Sequence, residues 1–122
     1  MIPAAGTVQY FERARNRMGA ASVDEFYRLY LAPGFGHGMA AAANVPVPGG
    51  SHSGNSAYFN GPSNSLLPAL RDWVENGKAP DSIEAKSEAS ATPARSRPWC
   101  AYPKKLKYLG GDVNVAASFT CS

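Results

Sequence analysis

The chain has 122 residues, the length of one small domain, and large core-forming side chains are scarce in it. Leu, Ile, Val and Phe together number 21, about 17% of the chain, whereas Ala alone contributes 20 residues. With a net charge of only +3, this composition predicts a thin core and not disorder. The sequence has neither a run of about 18 apolar residues that could cross a membrane nor a signal-peptide pattern. Its basic residues form short clusters typical of solvated faces, so we expect neither a nucleic-acid nor a membrane partner.

Charge is absent from the middle of the chain. Residues 29–70 contain no Asp, Glu, Lys or Arg, and residues 33–62 are rich in Gly, Ala, Asn, Ser and Pro. A structureless loop of about 30 residues is unusual in a compact domain. We therefore expect the chain to be a piece of a larger fold, with much of this stretch facing protein.

Two elements are predicted before that stretch. Thr7 can cap a helix whose carboxyl end is marked by late basic residues and by Gly19, which tolerates the left-handed conformation. Residues 26–31, Phe-Tyr-Arg-Leu-Tyr-Leu, are rich in aromatic side chains and end at Pro33-Gly34, so they are predicted to form a strand.

A second helix is predicted over about 65–76, with Gly77 as its terminator. Helical spacing puts Leu70 and Trp73 on one apolar face, which predicts that they are packed while Arg71 and Glu75 are exposed. Residues 84–97 are polar and rich in Ser, Ala and Thr, and are expected to form a surface connector. The helix and the connector lead into an irregular tail.

The tail holds both cysteines of the chain, Cys100 and Cys121. Their spacing suits a disulfide that closes a loop, and two unpaired thiols are the alternative. Zinc is not expected, because no Cys-x-x-Cys or His-x3-His spacing accompanies them.

His37 is the strongest candidate for chemistry, since it follows the predicted strand between glycines that allow close backbone approach. A lone loop histidine is also often a surface or structural residue, and His52 is equally consistent with a solvated side chain. The stretch 34–39 lacks the third glycine of a dinucleotide-binding loop, and 50–54 has His where a nucleophile elbow has Ser. We therefore expect no cofactor and no metal.

Six short motifs together resemble the carboxyl-terminal part of the tannase and feruloyl esterase family of α/β-hydrolases. The likeness follows the chain in order over nearly its whole length. The matching motifs are Ile2-Pro3-x-x-Gly6-Thr7-x-x-Tyr10, Phe26–Leu29, Pro33–His37, Leu70-x-x-Trp73-Val74-Glu75-Asn76-Gly77-x-Ala79-Pro80-Asp81, Arg97-Pro98-x-Cys100-x-Tyr102-Pro103 and Ala117-x-Phe119-x-Cys121.

The resemblance implies an α/β fold in which residues 1–122 form the carboxyl-terminal portion of an α/β-hydrolase domain: helix, last core strand, His loop, helix and disulfide-closed tail. Such a portion is incomplete as a domain. In the family a Ser-Asp-His triad cleaves esters of aromatic acids, and the His position corresponds to His37. The resemblance also implies that Cys100 and Cys121, which occupy family positions, are bonded to each other.

Two features depart from a complete family site. The family's acid position falls upstream of Met1, and Asp24, Asp72 and Asp81 do not match it. The family commonly has Cys directly after the catalytic His, where this sequence has Gly38. The disulfide that joins this Cys to a Cys beside the nucleophile in the family is therefore expected to be missing.

Two hypotheses of different classes follow. In the first, the chain supplies the His of a serine carboxylesterase whose partner is a small aromatic ester, and the resemblance implies a secreted or periplasmic protein. In the second, the chain alone is a non-catalytic fragment or interaction module, since a lone His contributes little without Ser and Asp.

Overall fold

The computed structural model describes residues 3–34, 42–48 and 66–122 of the chain. None of the helices within these ranges is long and apolar enough to cross a membrane. The elements are, in chain order, α1 (Ala4–Met18), α2 (Ala20–Asp24), β1 (Val47–Pro48), α3 (Leu66–Asn76), β2 (Ser82–Lys86), β3 (Ser96–Cys100), β4 (Leu106–Tyr108), a 3-10 helix (Ala116–Ser118) and β5 (Phe119–Cys121).

Helix α1 begins earlier than the sequence predicts and ends where it predicts. Pro3 precedes the first turn with φ −74° and ψ 132°, so Thr7 lies inside the helix and is not its cap. Ala4 and Ala5 extend the helix toward Pro3 because alanine has the highest helix propensity. Gly19 ends α1 at φ +88°, a conformation that favours glycine.

The core of the amino-terminal region is small and aromatic. Phe11 of α1, Val23 of α2 and Leu29 form a buried cluster. The ring of Phe11 meets Tyr27 edge-on at 4.9 Å and Tyr102 at 5.9 Å between centroids. The backbone N–H of Tyr102 also donates to the carbonyl of Leu29 at 2.8 Å. Tyr102 therefore joins the tail of the chain to the first helices, and the core is thin, as the composition predicts.

The structure does not give a strand at residues 26–31. This segment is extended but pairs with the rest of the described chain through a single antiparallel bridge, Tyr30 with Ala101. A strand requires a continuous ladder with a neighbour. The prediction of a strand is wrong for these described residues because the backbone pairing, including the bond from Tyr102 to Leu29, is confined to this one bridge and does not continue as a ladder.

The prediction of a surface connector over residues 84–97 is correct only for the middle of the stretch: residues 88–95 are exposed or partly exposed and join two strands, whereas the ends lie in strands. These ends belong to β2 and β3, which pair antiparallel with Ile83 opposite Trp99, while β1 pairs with the other edge of β2. Alternate residues of β2 are buried, including Ala85 at 0% exposure. The small side chain of Ala85 allows close packing without the large apolar residues that usually mark a core strand.

The tail is closed as predicted. Strands β4 and β5 form a two-stranded antiparallel sheet, and Cys100 of β3 is bonded to Cys121 of β5 with the two Cα atoms 5.5 Å apart. The disulfide therefore joins the end of the three-stranded sheet to the two-stranded sheet.

Helix α3 has the predicted extent but not the predicted environment. It ends at Asn76, and Gly77 follows at φ +68°. Arg71 is exposed, as predicted, but no residue of α3 is buried. Leu70 is 52% exposed, so the prediction that it is packed is wrong, and Trp73 is only partly buried. The apolar face of α3 exists, but the described chain does not cover it.

Candidate functional site

The predicted catalytic residue His37 lies outside the described residues, and so do Gly38 and His52. The structure describes the residues that precede and follow this part of the chain. The candidate site is therefore described by two sets of residues. The first is Gly34 and Val45, which lie on either side of the His37 segment, and the second is the side chains that fix the segment leading to Gly34.

The two ends of the His37 segment are in contact. Gly34 has φ +75°, and a Cβ built on it would lie 3.3 Å from Cγ2 of Val45. A side chain at position 34 would therefore meet both backbone strain and a close neighbour. Gly34 and Val45, the described residues on either side of the segment that carries His37, therefore lie close together.

Tyr30 fixes the segment that leads to Gly34. Its hydroxyl donates a hydrogen bond to the carbonyl of Pro80, just beyond α3, and its backbone bridges to Ala101. Burial of the hydroxyl raises the pKa of Tyr30 to about 12, with Arg28 lowering it and Asp81 raising it by smaller amounts. The phenol therefore stays protonated and able to donate at neutral pH.

Arg28 makes a second link between the same segment and α3. Its guanidinium lies over the ring of Trp73, with Cζ 5.2 Å from the centroid. It also pairs with Asp24 at 3.7 Å, and Asp24 pairs in turn with Arg15. The Arg28 side chain is only 16% exposed, so these contacts position it firmly between α2 and α3.

Sequence analysis did not single out Arg28 or Tyr30. The sequence does contain an indication of their shared role, since both are polar residues at alternate positions in an otherwise apolar segment. Alternation shows that the two side chains share one face of an extended segment. It does not show which helix they contact.

An apolar cavity of about 300 Å³ adjoins the start of the His37 segment. This volume is at the lower end of the range for small-molecule sites. Arg97 and Lys104 contribute to its margin. The apolar lining comes from Leu31, Pro33, Pro46, Trp99, Tyr102 and Leu106.

The three aspartates that do not match the family's acid position are all engaged with cations in the structure. A carboxylate held in this way has a structural role that accounts for its presence. Asp24 pairs with Arg15 and Arg28, Asp72 with Lys78 at 3.7 Å, and Asp81 with Lys104 at 3.0 Å. Within the described ranges, no group of three His, Cys, Asp or Glu residues could hold a metal ion.

These features define a mixed α/β chain whose small sheets and helices surround the two ends of a histidine-containing segment. The sequence model of the family described as "Tannase and feruloyl esterase" matches residues 1–122. The chain belongs to the tannase and feruloyl esterase family.

Known relatives show how much of a family protein this chain represents. It is 36% identical over 125 residues to a probable feruloyl esterase of Arthroderma benhamiae, covering 100% of this chain and 20% of the relative. It is 37% identical over 124 residues to the mono(2-hydroxyethyl) terephthalate hydrolase of Piscinibacter sakaiensis, covering 98% and 17%. The chain thus spans about a fifth of the length of the curated relatives it matches.

The fold agrees with the family. The crystal structure of feruloyl esterase B from Aspergillus oryzae matches with a TM-score of 0.77 and 25% identity, covering 99% of this chain and 24% of that one. The chain is therefore a mixed α/β segment that corresponds to about a quarter of a feruloyl esterase structure.

Proposed function

We propose that this chain is the carboxyl-terminal portion of an α/β-hydrolase domain that cleaves carboxylic esters of aromatic acids. The observation that carries the proposal is the family match over residues 1–122. It is supported by relatives that are named as a feruloyl esterase and as a terephthalate ester hydrolase.

In this proposal His37 is the general base and acid. Its imidazole takes the proton from a serine hydroxyl as the serine attacks the ester carbonyl, and returns the proton to the leaving alcohol. A carboxylate on the other ring nitrogen holds the imidazole in the required tautomer. The serine and that carboxylate belong to parts of a complete domain that this chain does not contain at matching positions.

The close approach of Gly34 and Val45 supports this role. A general base must be held within hydrogen-bond reach of its nucleophile, and this close approach fixes the described residues on either side of the His37 segment. The apolar cavity beside Pro33 is suited to the aromatic part of an ester or to a hydrophobic wall beneath it.

The chain alone is proposed to be inactive. Asp24, Asp72 and Asp81 are each ion-paired with cations, which supports the view that none of them orients His37. Removing members of a triad leaves only the effects of binding and oxyanion stabilisation. Alone, the chain is therefore a non-catalytic module.

The test uses methyl ferulate and methyl gallate as substrates. The purified 122-residue chain should show no turnover above buffer. A chimera in which this chain replaces the matching segment of feruloyl esterase B from Aspergillus oryzae should be active, and His37→Ala should reduce its kcat/KM by several orders of magnitude. His52→Ala is the matched control and should retain activity. Turnover by the chain alone, or full activity of the His37→Ala chimera, would overturn the proposal.

We also propose that the protein works in an oxidising compartment, secreted or periplasmic. The bond between Cys100 and Cys121 supports this, because disulfides persist mainly outside the cytosol. Mass spectrometry of protein isolated from its native cells under thiol-blocking conditions should show both cysteines unmodified by the blocking reagent. Two alkylated thiols would contradict it.

A further inference from the structure

The cavity of about 300 Å³ is lined by residues from both sides of the His37 segment. Pro33, which precedes Gly34, and Pro46, which follows Val45, both line it. Apolar and aromatic side chains form most of the remaining wall: Leu31, Pro98, Trp99, Tyr102 and Leu106. This volume is near the lower limit for small-molecule sites, so the cavity suits a ligand with one aromatic ring.

The charge of the cavity lining is positive and incompletely balanced. Arg97 and Lys104 line the cavity, and none of its lining residues in the described ranges is Asp or Glu. Lys104 forms an ion pair with Asp81 at 3.0 Å, so its charge is largely balanced from outside the cavity. Arg97 belongs to none of the ion pairs between described residues. The guanidinium of Arg97 is therefore the group available to an anion.

The guanidinium of Arg97 is held in place by Phe119 and Ser96. Its Cζ lies 4.2 Å from the centroid of the Phe119 ring, and one of its nitrogens donates to the carbonyl of Ser96 at 2.7 Å. Burial and then the positive charge of Arg95 lower the pKa of Arg97, and Asp112 opposes them. A guanidinium stays charged at neutral pH and carries five N–H donors, so donors remain for a ligand.

We propose that this cavity is a binding site for a small aromatic carboxylate with one ring. The ring lies against the apolar wall, and the carboxylate accepts hydrogen bonds from the guanidinium of Arg97. Charge-assisted hydrogen bonds are stronger than neutral ones, and walls of low dielectric strengthen the attraction further. The site therefore distinguishes an aromatic acid from its neutral ester and from an aliphatic acid.

The acid that hydrolysis of an aromatic ester releases has this chemistry. That link rests on the proposed function, whereas the binding site rests on the described residues of this chain. Binding is measured on the 122-residue chain, which is proposed to be inactive alone. The binding site and the proposed function can therefore fail separately.

The test is an NMR titration of the ¹⁵N-labelled chain with ferulate, methyl ferulate and acetate. Ferulate should shift the indole N–H of Trp99 and the amide of Leu106 in a saturable way. Its Kd should be about 1 mM or lower, the affinity expected of a ligand with about 14 non-hydrogen atoms. Methyl ferulate, which has the same ring and no charge, should bind at least fivefold more weakly. Acetate, which has the charge and no ring, should cause no saturable shift up to about 20 mM.

Arg97→Gln should weaken the binding of ferulate at least fivefold and that of methyl ferulate less than twofold, because only the charged ligand loses its partner. Arg95→Gln is the matched control: it removes the same charge two positions away, at a residue that does not line this cavity. It should change the Kd of ferulate less than twofold.

A second pair of variants avoids the contact between Arg97 and Phe119. Leu31 is 47% exposed, so polar substitutions there should leave the fold intact. Leu31→Asp places a negative charge in the lining and should weaken ferulate at least tenfold. Leu31→Asn has nearly the same shape without the charge and should weaken it less than threefold.

Three results would overturn the proposal. The first is equal affinity for ferulate and methyl ferulate, which would make the cavity an apolar site without charge selection. The second is an equal effect of Arg95→Gln and Arg97→Gln, or of Leu31→Asp and Leu31→Asn. The third is the absence of saturable shifts at Trp99 and Leu106 with ferulate. Methanol released from methyl ferulate would show turnover and contradict only the inactivity proposed for the chain alone.

Discussion

Strands β2 and β3 and helix α3 use their apolar residues in opposite ways. Half of the ten residues of these two strands are Ser, Glu, Lys or Arg, yet Ile83, Ala85 and Trp99 are buried and a disulfide joins the end of β3 to β5. Helix α3 is rich in Leu and has no buried residue. Between these two strands and α3, burial follows backbone pairing more closely than it follows local hydrophobicity.

This contrast has a physical origin. Neighbouring strands lie about 5 Å apart whatever the size of their side chains. A paired strand can therefore bury small side chains. A helix satisfies its own backbone hydrogen bonds and needs a partner only for its apolar face. A helix can therefore form before its apolar face is covered, whereas a strand needs a paired neighbour to form.

The largest expected difference in stability is between replacing Trp99, in β3, and replacing Trp73, in α3. Trp99→Ala should lower the free energy of unfolding of the 122-residue chain by about 3–5 kcal/mol, because Trp99 is 8% exposed and a cavity remains. Trp73→Ala should cost only about 1 kcal/mol, mainly the lost contact with Arg28. Urea denaturation followed by circular dichroism measures both. Equal costs would break the contrast between the two regions.

Covalent closure of the strand region is the second target. Cys100→Ala with Cys121→Ala should cost about 3 kcal/mol, since the bond closes a loop of sequence separation 21 in the unfolded chain. Dithiothreitol should lower the Tm of the unsubstituted chain to that of the variant and leave the variant unchanged. A variant as stable as the oxidised chain would show that strand pairing alone holds the tail.

Two glycines, Gly34 beside the His37 segment and Gly6 inside α1, should respond in opposite ways to replacement by alanine. Gly34→Ala should cost about 1–2 kcal/mol, because φ +75° is unfavourable for alanine and its Cβ meets Val45 at 3.3 Å. Gly6→Ala in α1 has open space around it and should stabilise the chain by about 0.5–1 kcal/mol. Thermal unfolding of the two variants should shift in opposite directions. A neutral Gly34→Ala would mean that the two segment ends are not held together.

The smallest effect tests the link from Tyr30 to Pro80. Tyr30→Phe should cost about 1 kcal/mol at pH 7 through the lost hydrogen bond, and Tyr10→Phe, at an exposed position, should cost nothing measurable.

The pH dependence of Tyr30→Phe has a definite sign. The pKa of Tyr30 is raised to about 12 in the fold from about 10 in an unfolded chain, so the protonated hydroxyl stabilises the fold fully below pH 10. That contribution declines between about pH 10 and pH 12. The stability difference between the chain and Tyr30→Phe should shrink over this window, and a constant difference would contradict the role of the buried hydroxyl.

Sequence reasoning succeeded where local chemistry decides the structure. The end of α1 at Gly19 and the end of α3 before Gly77 follow from glycine at positive φ. The pairing of Cys100 with Cys121 followed from family positions and is present in the structure. The sequence predicts the N-cap of α1 at Thr7, four residues later than the observed cap at Pro3, because Thr7 is a good cap by type but the alanines before it continue the helix.

Sequence reasoning failed where a distant part of the chain decides the structure. The sequence does not reveal strand β2 because Ala85 occupies a buried position that usually holds a larger apolar residue. The stripe of α3 was recognised, but periodicity defines a face and not what covers it. The roles of Arg28 and Tyr30 depend on contacts with Trp73 and Pro80, about 45–50 residues away. The assignment of His37 stays a prediction.

The position of Tyr102 has a consequence for the order of events during synthesis. Its ring packs on Phe11 and its hydroxyl bonds to Glu12, a residue 90 positions earlier. At about 5–20 residues per second, the ribosome needs on the order of 5–20 s to add the residues between them. Helices α1 and α2 therefore wait for the synthesis of these residues with one side of their aromatic cluster uncovered, and during this interval that side is exposed to chaperones and to aggregation.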